Sequence, residues 1–189
     1  MKELEERILE DGTVLPGSIL KVDSFLNHQV DTELMGHIAD EFKGMYEQEK
    51  ITKVLTIEAS GIAIAVMTAN ALKVPALFAK KAKSSNIGSD VYTASVHSYT
   101  YGREYDITVS RKYLNENDRV LIVDDFMANG LAAQGLIDIC HQAHAEIAGF
   151  GICIEKGFQD GGRKLREQGY RVESLALIDQ MTDNSIAFR

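Results

Sequence analysis

Two adjacent carboxylates, Asp124 and Asp125, follow an apolar run at 120–123 and precede a loop of small residues, Ala128-Asn129-Gly130-Leu131-Ala132. That combination suits a sugar phosphate. The acids can accept hydrogen bonds from a vicinal diol, while exposed backbone N–H groups and a helix dipole hold a phosphate monoester. This chemistry requires particular elements around it. A continuous β-branched run is what a strand covered on both faces demands, so 120–123 reads as a buried parallel strand. The acids then stand at its carboxyl end, where open α/β sheets bind ligands. A helix over 131–142 points its N-terminus back at the loop. Acids at a strand end are also ordinary turn formers; the ordered succession of strand, Asp-Asp, small-residue loop and helix is the restrictive feature.

Three further segments carry candidate chemistry. Glu58-Ala59-Ser60-Gly61 lies between a strand ending at Ile57 and a helix beginning near Gly61, the same strand–loop–helix arrangement. Small residues there let backbone amides approach an anion, although a Ser-Gly turn before a helix is usually only a turn. Lys80 and Lys81 precede the polar stretch 84–89, a loop able to close over a polyanion; residue type alone favours a solvated basic edge. Lys156 follows the apolar strand 151–155 and so emerges at the same sheet edge as Asp124 and Asp125, though a strand-terminal Lys is most often exposed. Asn27 offers both a donor and an acceptor to a base edge, Leu20 an apolar wall, and Phe158 either a stacking ring or plain packing. The five His show no metal spacing. Cys140 and Cys153 sit in apolar segments and read as core packing in a reducing cytosol.

Alternation of strand and helix patterns organises the chain. Short helices are expected at 2–10 and 163–168, and longer ones at 61–73 and, behind an Asp31 N-cap, from 32 onward. Strands are expected at 51–57, 75–79, 147–155 and 170–178, with a hairpin at 91–110 around Gly102. This pattern implies an α/β fold, a largely parallel sheet with crossover helices. At 189 residues, with 45% hydrophobic and 25% charged residues, one domain is expected over 1–189, with a small hood from about 1–30 and 156–189. The formal charge of −8 argues against nucleic acid or anionic membranes as partners. The N-terminus lacks the apolar core of a signal peptide, and no segment has the length of a membrane span. A cytoplasmic protein is expected.

The motif at 119–133 resembles the phosphoribosyl-pyrophosphate (PRPP) motif of the type I phosphoribosyltransferases. Residues 20–29 and 154–158 narrow the resemblance to the bacterial xanthine phosphoribosyltransferase family, across nearly the whole chain. The resemblance implies a mostly parallel sheet flanked by helices, and transfer of the 5-phosphoribosyl group of PRPP to xanthine in purine salvage. It implies Mg²⁺ with PRPP or pyrophosphate, with no residue directly assigned to the metal, and a homodimer. It places the PRPP phosphate on Ala128, Asn129, Gly130, Leu131 and Ala132, the ribose and its transition state on Asp124 and Asp125, and xanthine on Leu20, Asn27 and Lys156. Ala59, Ser60 and Gly61 match the pyrophosphate loop, where an unusual peptide geometry fits the family, and Lys80 and Lys81 are its basic companions. Relatives are expected to have Arg-Lys where this chain has Lys80-Lys81, which bears on the first residue's role. Hypoxanthine-guanine enzymes have an Asp where this chain has Ala128, so no protein general base is assigned; xanthine, a comparatively acidic purine, reacts through its anion. The alternatives are a guanine, hypoxanthine or adenine enzyme, or a PRPP-sensing regulator. A regulator of that kind carries an additional N-terminal DNA-binding domain, for which the residues ahead of Leu20 are too few.

Overall fold

The computed structural model describes residues 1–81, 90–98, 103–182 and 185–189. The chain begins with α1 (Lys2–Asp11), a hairpin of β1 (Thr13–Leu15) and β2 (Ile19–Lys21), and one π-helical turn, Asp23–Asn27. Next come α2 (Thr32–Tyr46), β3 (Lys53–Ile57), α3 (Gly61–Leu72) and β4 (Ala76–Ala79). An antiparallel pair, β5 (Val91–Ser98) and β6 (Arg103–Ser110), precedes β7 (Arg119–Met127), α4 (Leu131–Gln142), β8 (Glu146–Lys156), α5 (Gly161–Glu167), β9 (Val172–Thr182) and β10 (Ser185–Phe188). Asp31 caps α2 as expected, its carboxylate accepting from Glu33 and Leu34 N–H.

The main sheet has the order β10-β9-β8-β7-β3-β4, parallel except for β10. From β3 the chain steps outward through α3 to β4; from β7 it steps the other way through α4, β8, α5 and β9. Right-handed crossovers running in opposite directions put α3 and α4 on opposite faces. Each face has its own core. Leu121 and Val123 of β7 pack with α1, α2 and α3, whereas Val120 and Ile122 pack with α4 and the β5–β6 pair. This is the period-2 alternation of a strand buried on both sides. The strand order reverses between β3 and β7, and that seam is where such sheets bind ligands.

Several expectations shift. The strand expected at 120–123 runs on to Met127, because β8 continues beside it and pairs Phe126 with Ile154 and Met127 with Glu155. The two acids therefore lie within the last pleats of the strand, not beyond its end. The hairpin pair forms its own two-stranded sheet, and Gly102 and the 84–89 loop lie outside the described residues. Residues 172–188, counted in the hood, supply two strands of the main sheet. Leu4, Ile8, Leu20 and Phe25 share a core with Val123, Ile154 and Ile178, so the early residues continue the main core. Cys140 and Cys153 are free and buried, and burial pushes the Cys140 thiol up to about 12.

Candidate active site

Three loops converge at the seam. The 58–60 segment ends β3, the 128–130 loop ends β7, and the π-helical turn brings Asn27 over the top. Asp125 joins them. Its Oδ1 accepts from Ser60 Oγ at 3.0 Å and from Phe126 N–H at 3.0 Å, and its Oδ2 accepts from Asn27 Nδ2 at 2.8 Å. Asp125 is 7% exposed, so these bonds replace water around a buried carboxylate.

Asp124 faces differently. It is partly exposed and borders a cavity of about 180 Å³ that is also walled by residues 128–132 and by Tyr105. Its Oδ1 accepts from Asp125 N–H at 3.0 Å. Although the residue keeps some exposure, crowding of its carboxyl away from bulk water at the seam, and then the neighbouring Asp125 charge, push Asp124 above the ordinary carboxylate range; Lys81 opposes them. Burial and the charges of both acids likewise raise the Cys153 thiol.

A raised carboxyl pKa has a definite sign. The folded state holds the proton more tightly than the unfolded chain, so stability present below the ordinary value near 3.8 is lost as pH rises through the folded value. An amide escapes that loss while still accepting from Asp125 N–H. Asp124→Asn is therefore expected to raise Tm at pH 7 by about 2–4 °C per kcal/mol recovered, with the gain shrinking towards pH 4. Thermal melts across that range check it, and a gain independent of pH would refute it.

The 128–130 loop leaves backbone donors open at the start of α4. Gly130 has φ 78°, a left-handed conformation that side chains resist, and it stands as the N-cap of α4 with no side chain to cap the helix. The first amides of α4 thus keep their donors free of intrahelical partners. At the other loop, Ser60 is the N-cap of α3, yet its hydroxyl serves Asp125 instead of capping. The Glu58–Ala59 peptide is cis. A Cβ on Gly61 would lie 2.0 Å from Thr56 Oγ1 and 3.0 Å from Asp124 Oδ1, so this glycine permits close approach of α3 to the end of β3. Lys81 N–H donates to Glu58 Oε1 at 2.5 Å and its ammonium lies 5.4 Å from the Tyr105 ring centroid. Lys80 is held by its backbone, paired with Thr108.

At the hood side, Lys156 ends β8 and donates to Ser18 O at 2.8 Å, with its ammonium 5.7 Å from the Phe126 ring centroid. Burial holds its pKa below the ordinary lysine range. Leu20 is 6% exposed and points into the α1–α2 core, because β2 alternates exposed, buried, exposed. Its side chain anchors the hairpin from below. Phe158 is exposed. Among the described residues no cluster of His, Cys, Asp or Glu is arranged to hold a metal, and no helix is long and apolar enough to cross a membrane. Sequence reasoning missed Ser18, Phe126 and Gly161. The Gly161-Gly162 pair at the start of a helix was the readable signal, since adjacent glycines mark close backbone approach.

Residues 23–181 match the family described as phosphoribosyl transferase domain. Solved structures show the same fold. The adenine phosphoribosyltransferase from Giardia lamblia complexed with 9-deazaadenine has a TM-score of 0.79 at 20% identity, covering 94% of this chain and 98% of that one. The adenine phosphoribosyltransferase from Trypanosoma brucei, in complex with AMP, pyrophosphate and ribose-5-phosphate, has a TM-score of 0.78 at 20% identity, covering 92% and 78%. A xanthine phosphoribosyltransferase from Bifidobacterium adolescentis is 53% identical over 192 residues, covering all of both chains. One from Bacillus cereus is 55% identical over 188 residues, covering all of this chain and 95% of its own. The chain belongs to the phosphoribosyltransferase family and, within it, to the xanthine phosphoribosyltransferases.

Proposed function

We propose that this enzyme transfers the 5-phosphoribosyl group of PRPP to xanthine, forming xanthosine 5′-monophosphate and pyrophosphate in purine salvage. One observation carries the assignment of subsites. Asp125 is hydrogen-bonded to both Asn27 and Ser60, which ties the base, ribose and pyrophosphate positions to one carboxylate at the seam. The base itself comes from the relatives, which match along the full chain.

In the reaction the bond between the ribose anomeric carbon and pyrophosphate breaks and a bond to a xanthine ring nitrogen forms. Positive charge gathers on the ribose, where Asp124 and Asp125 stabilise it. The uncapped amides of α4 hold the 5′-phosphate, and Ala59, Ser60, Gly61 and Lys81 surround the leaving pyrophosphate. Lys156, freed from Ser18, donates to the 6-oxo group; Asn27 reads position 2. No protein base removes the ring proton, since Ala128 stands where an acid would be needed and the xanthine anion reacts directly. A Mg²⁺ ion would be held by the polyphosphate and its own waters beside Asp124, the carboxylate that borders the cavity, as suits an ion that keeps several waters and seldom takes a cage made of protein alone. When bound it supplies charge neutralisation of the leaving group. A homodimer and a cytoplasmic location accompany this assignment, the latter fitting two buried free thiols.

A nucleotide-product assay across xanthine, guanine, hypoxanthine and adenine tests it. Xanthosine monophosphate as the preferred product is expected; another preferred base, or no product at all, overturns it. In the same assay Asn27→Leu should lower the xanthine-to-guanine preference more than it lowers turnover of the common 6-oxopurines, because xanthine offers an acceptor at position 2 and guanine a donor. An unchanged ratio removes Asn27 from specificity.

A further inference from the structure

The 128–130 loop rests on a second helix. Gly161 N–H donates to Ala128 O at 3.0 Å. A Cβ on Gly161 would lie 2.5 Å from that oxygen and 2.6 Å from Gly130 N, and one on Gly130 would lie 3.0 Å from Gly161 Cα. The first turn of α5 is thus laid backbone against backbone on the loop. The next residue, Gly162, sits on Glu155, where an added Cβ would come within 2.0 Å of Oε1.

Glu155 is 3% exposed and fully partnered. Arg166, in the last turn of α5, donates to both of its oxygens at 2.7 and 2.8 Å, and Ser174 Oγ of β9 donates to Oε2. Arg166 also donates to Val172 O at 3.1 Å. A two-pronged pair of this kind fixes orientation as well as distance. It pins α5 across β8 and β9 at the height where its opening glycines meet the loop. Glu155, Gly162, Arg166 and Ser174 do not border the 180 Å³ cavity.

We infer that the Glu155–Arg166 pair, its carboxylate buried and its guanidinium at the surface, positions the phosphate loop: by fixing α5 it sets the spacing of the 128–130 backbone and hence the affinity for the phosphorylated end of PRPP, which it does not touch. This rests on residues 128–132 being the phosphate cradle. The two can be separated by ligand. Ribose 5-phosphate reports on the cradle, and pyrophosphate with Mg²⁺ reports on the 58–61 loop, to which Gly161 and Arg166 make no hydrogen bond among the described residues.

Arg166→Met leaves Glu155 buried without its partner and can unfold the protein. The test therefore uses Glu155→Gln with Arg166→Met, which removes both charges, beside the milder Arg166→Lys, which keeps the charge but loses the fork. Calorimetry on the full chain is expected to show ribose 5-phosphate binding weakened by about tenfold or more in the double variant, the cost of losing one hydrogen bond to a charged group. Arg166→Lys should fall between it and the parent. Pyrophosphate affinity should stay within about twofold, and KM for PRPP should rise far more than kcat falls. Equal weakening of both ligands, or a lowered Tm with both affinities intact, overturns the positioning role and leaves the cradle standing. A parent protein that fails to bind ribose 5-phosphate overturns the cradle, and this inference with it.

Discussion

Asp124→Asn together with Asp125→Asn is expected to cut kcat/KM for PRPP by at least tenfold while leaving a folded protein. A hydrogen bond involving a charged group contributes about 1.5 to 3 kcal/mol, so losing two sets the loss at about 100-fold to 10,000-fold if both meet the ribose. The two positions fail for different reasons. At 124 the variant loses the charge facing the cavity and the cradle. At 125 an amide has one acceptor oxygen where the carboxylate has two, yet Ser60, Phe126 and Asn27 all donate to that group. If the amide oxygen at position 125 keeps Ser60 and Phe126, the amide turns its own NH₂ toward the NH₂ of Asn27, and the hood contact is lost. Steady-state kinetics with PRPP, alongside a melting curve, check this; near-normal kinetics in the double variant would sink the assignment of both acids.

Gly130→Val is expected to abolish measurable PRPP binding. A β-branched residue at φ 78° costs about 1–3 kcal/mol in backbone strain, and the new Cβ meets Gly161 Cα at 3.0 Å before any ligand arrives. Protein packing thus demands the glycine whatever the loop binds, a reason that residue type alone did not disclose. Gly169→Ala is the control. That glycine is also left-handed, with φ 90°, but an added Cβ meets nothing within 4 Å. It should lose some stability and keep PRPP affinity. Calorimetry with PRPP and Mg²⁺ decides, and unchanged affinity in a folded Gly130→Val protein would place the phosphate elsewhere.

The parts of this fold that announce themselves in sequence are those whose local pattern and tertiary surroundings agree. The helix at 131–142 and the N-cap at Asp31 depend on short-range spacing and stand where expected. The extension of β7 to Met127 depends on a neighbour, β8, that lies further along the chain, so its end could not be read from the strand itself. The β1–β2 hairpin and β10 are three or four residues long, too short for periodicity to show. The candidate site divides similarly. Asp124 and Asp125 were legible because strand, acids and loop are contiguous. The meeting of Asn27 with Asp125, 98 residues apart, and of Lys156 with Ser18, 138 apart, follows from topology alone. Leu20 illustrates the opposite limit: its apolar side chain was readable, but the direction it faces was fixed by a two-residue alternation in a strand that could not be foreseen.

The seam between β3 and β7 also governs how the chain must behave as it leaves the ribosome. β3 pairs with β4 on one side and with β7 on the other, and Ser60 waits 65 residues for Asp125. At about 5–20 residues per second of synthesis, that interval lasts about 3 to 13 seconds. Throughout it the inner edge of β3 presents unpaired backbone groups, and the apolar faces of α2 and α3 lack the core residues that β7, β8 and β9 provide. An open strand edge beside uncovered apolar surface is a template for pairing with other nascent chains. A pause in translation between β4 and β7 would lengthen that exposure. Emergence of β7 covers the inner edge of β3 and brings Asp125 to Ser60, and the open edge passes to β7 until β8 follows.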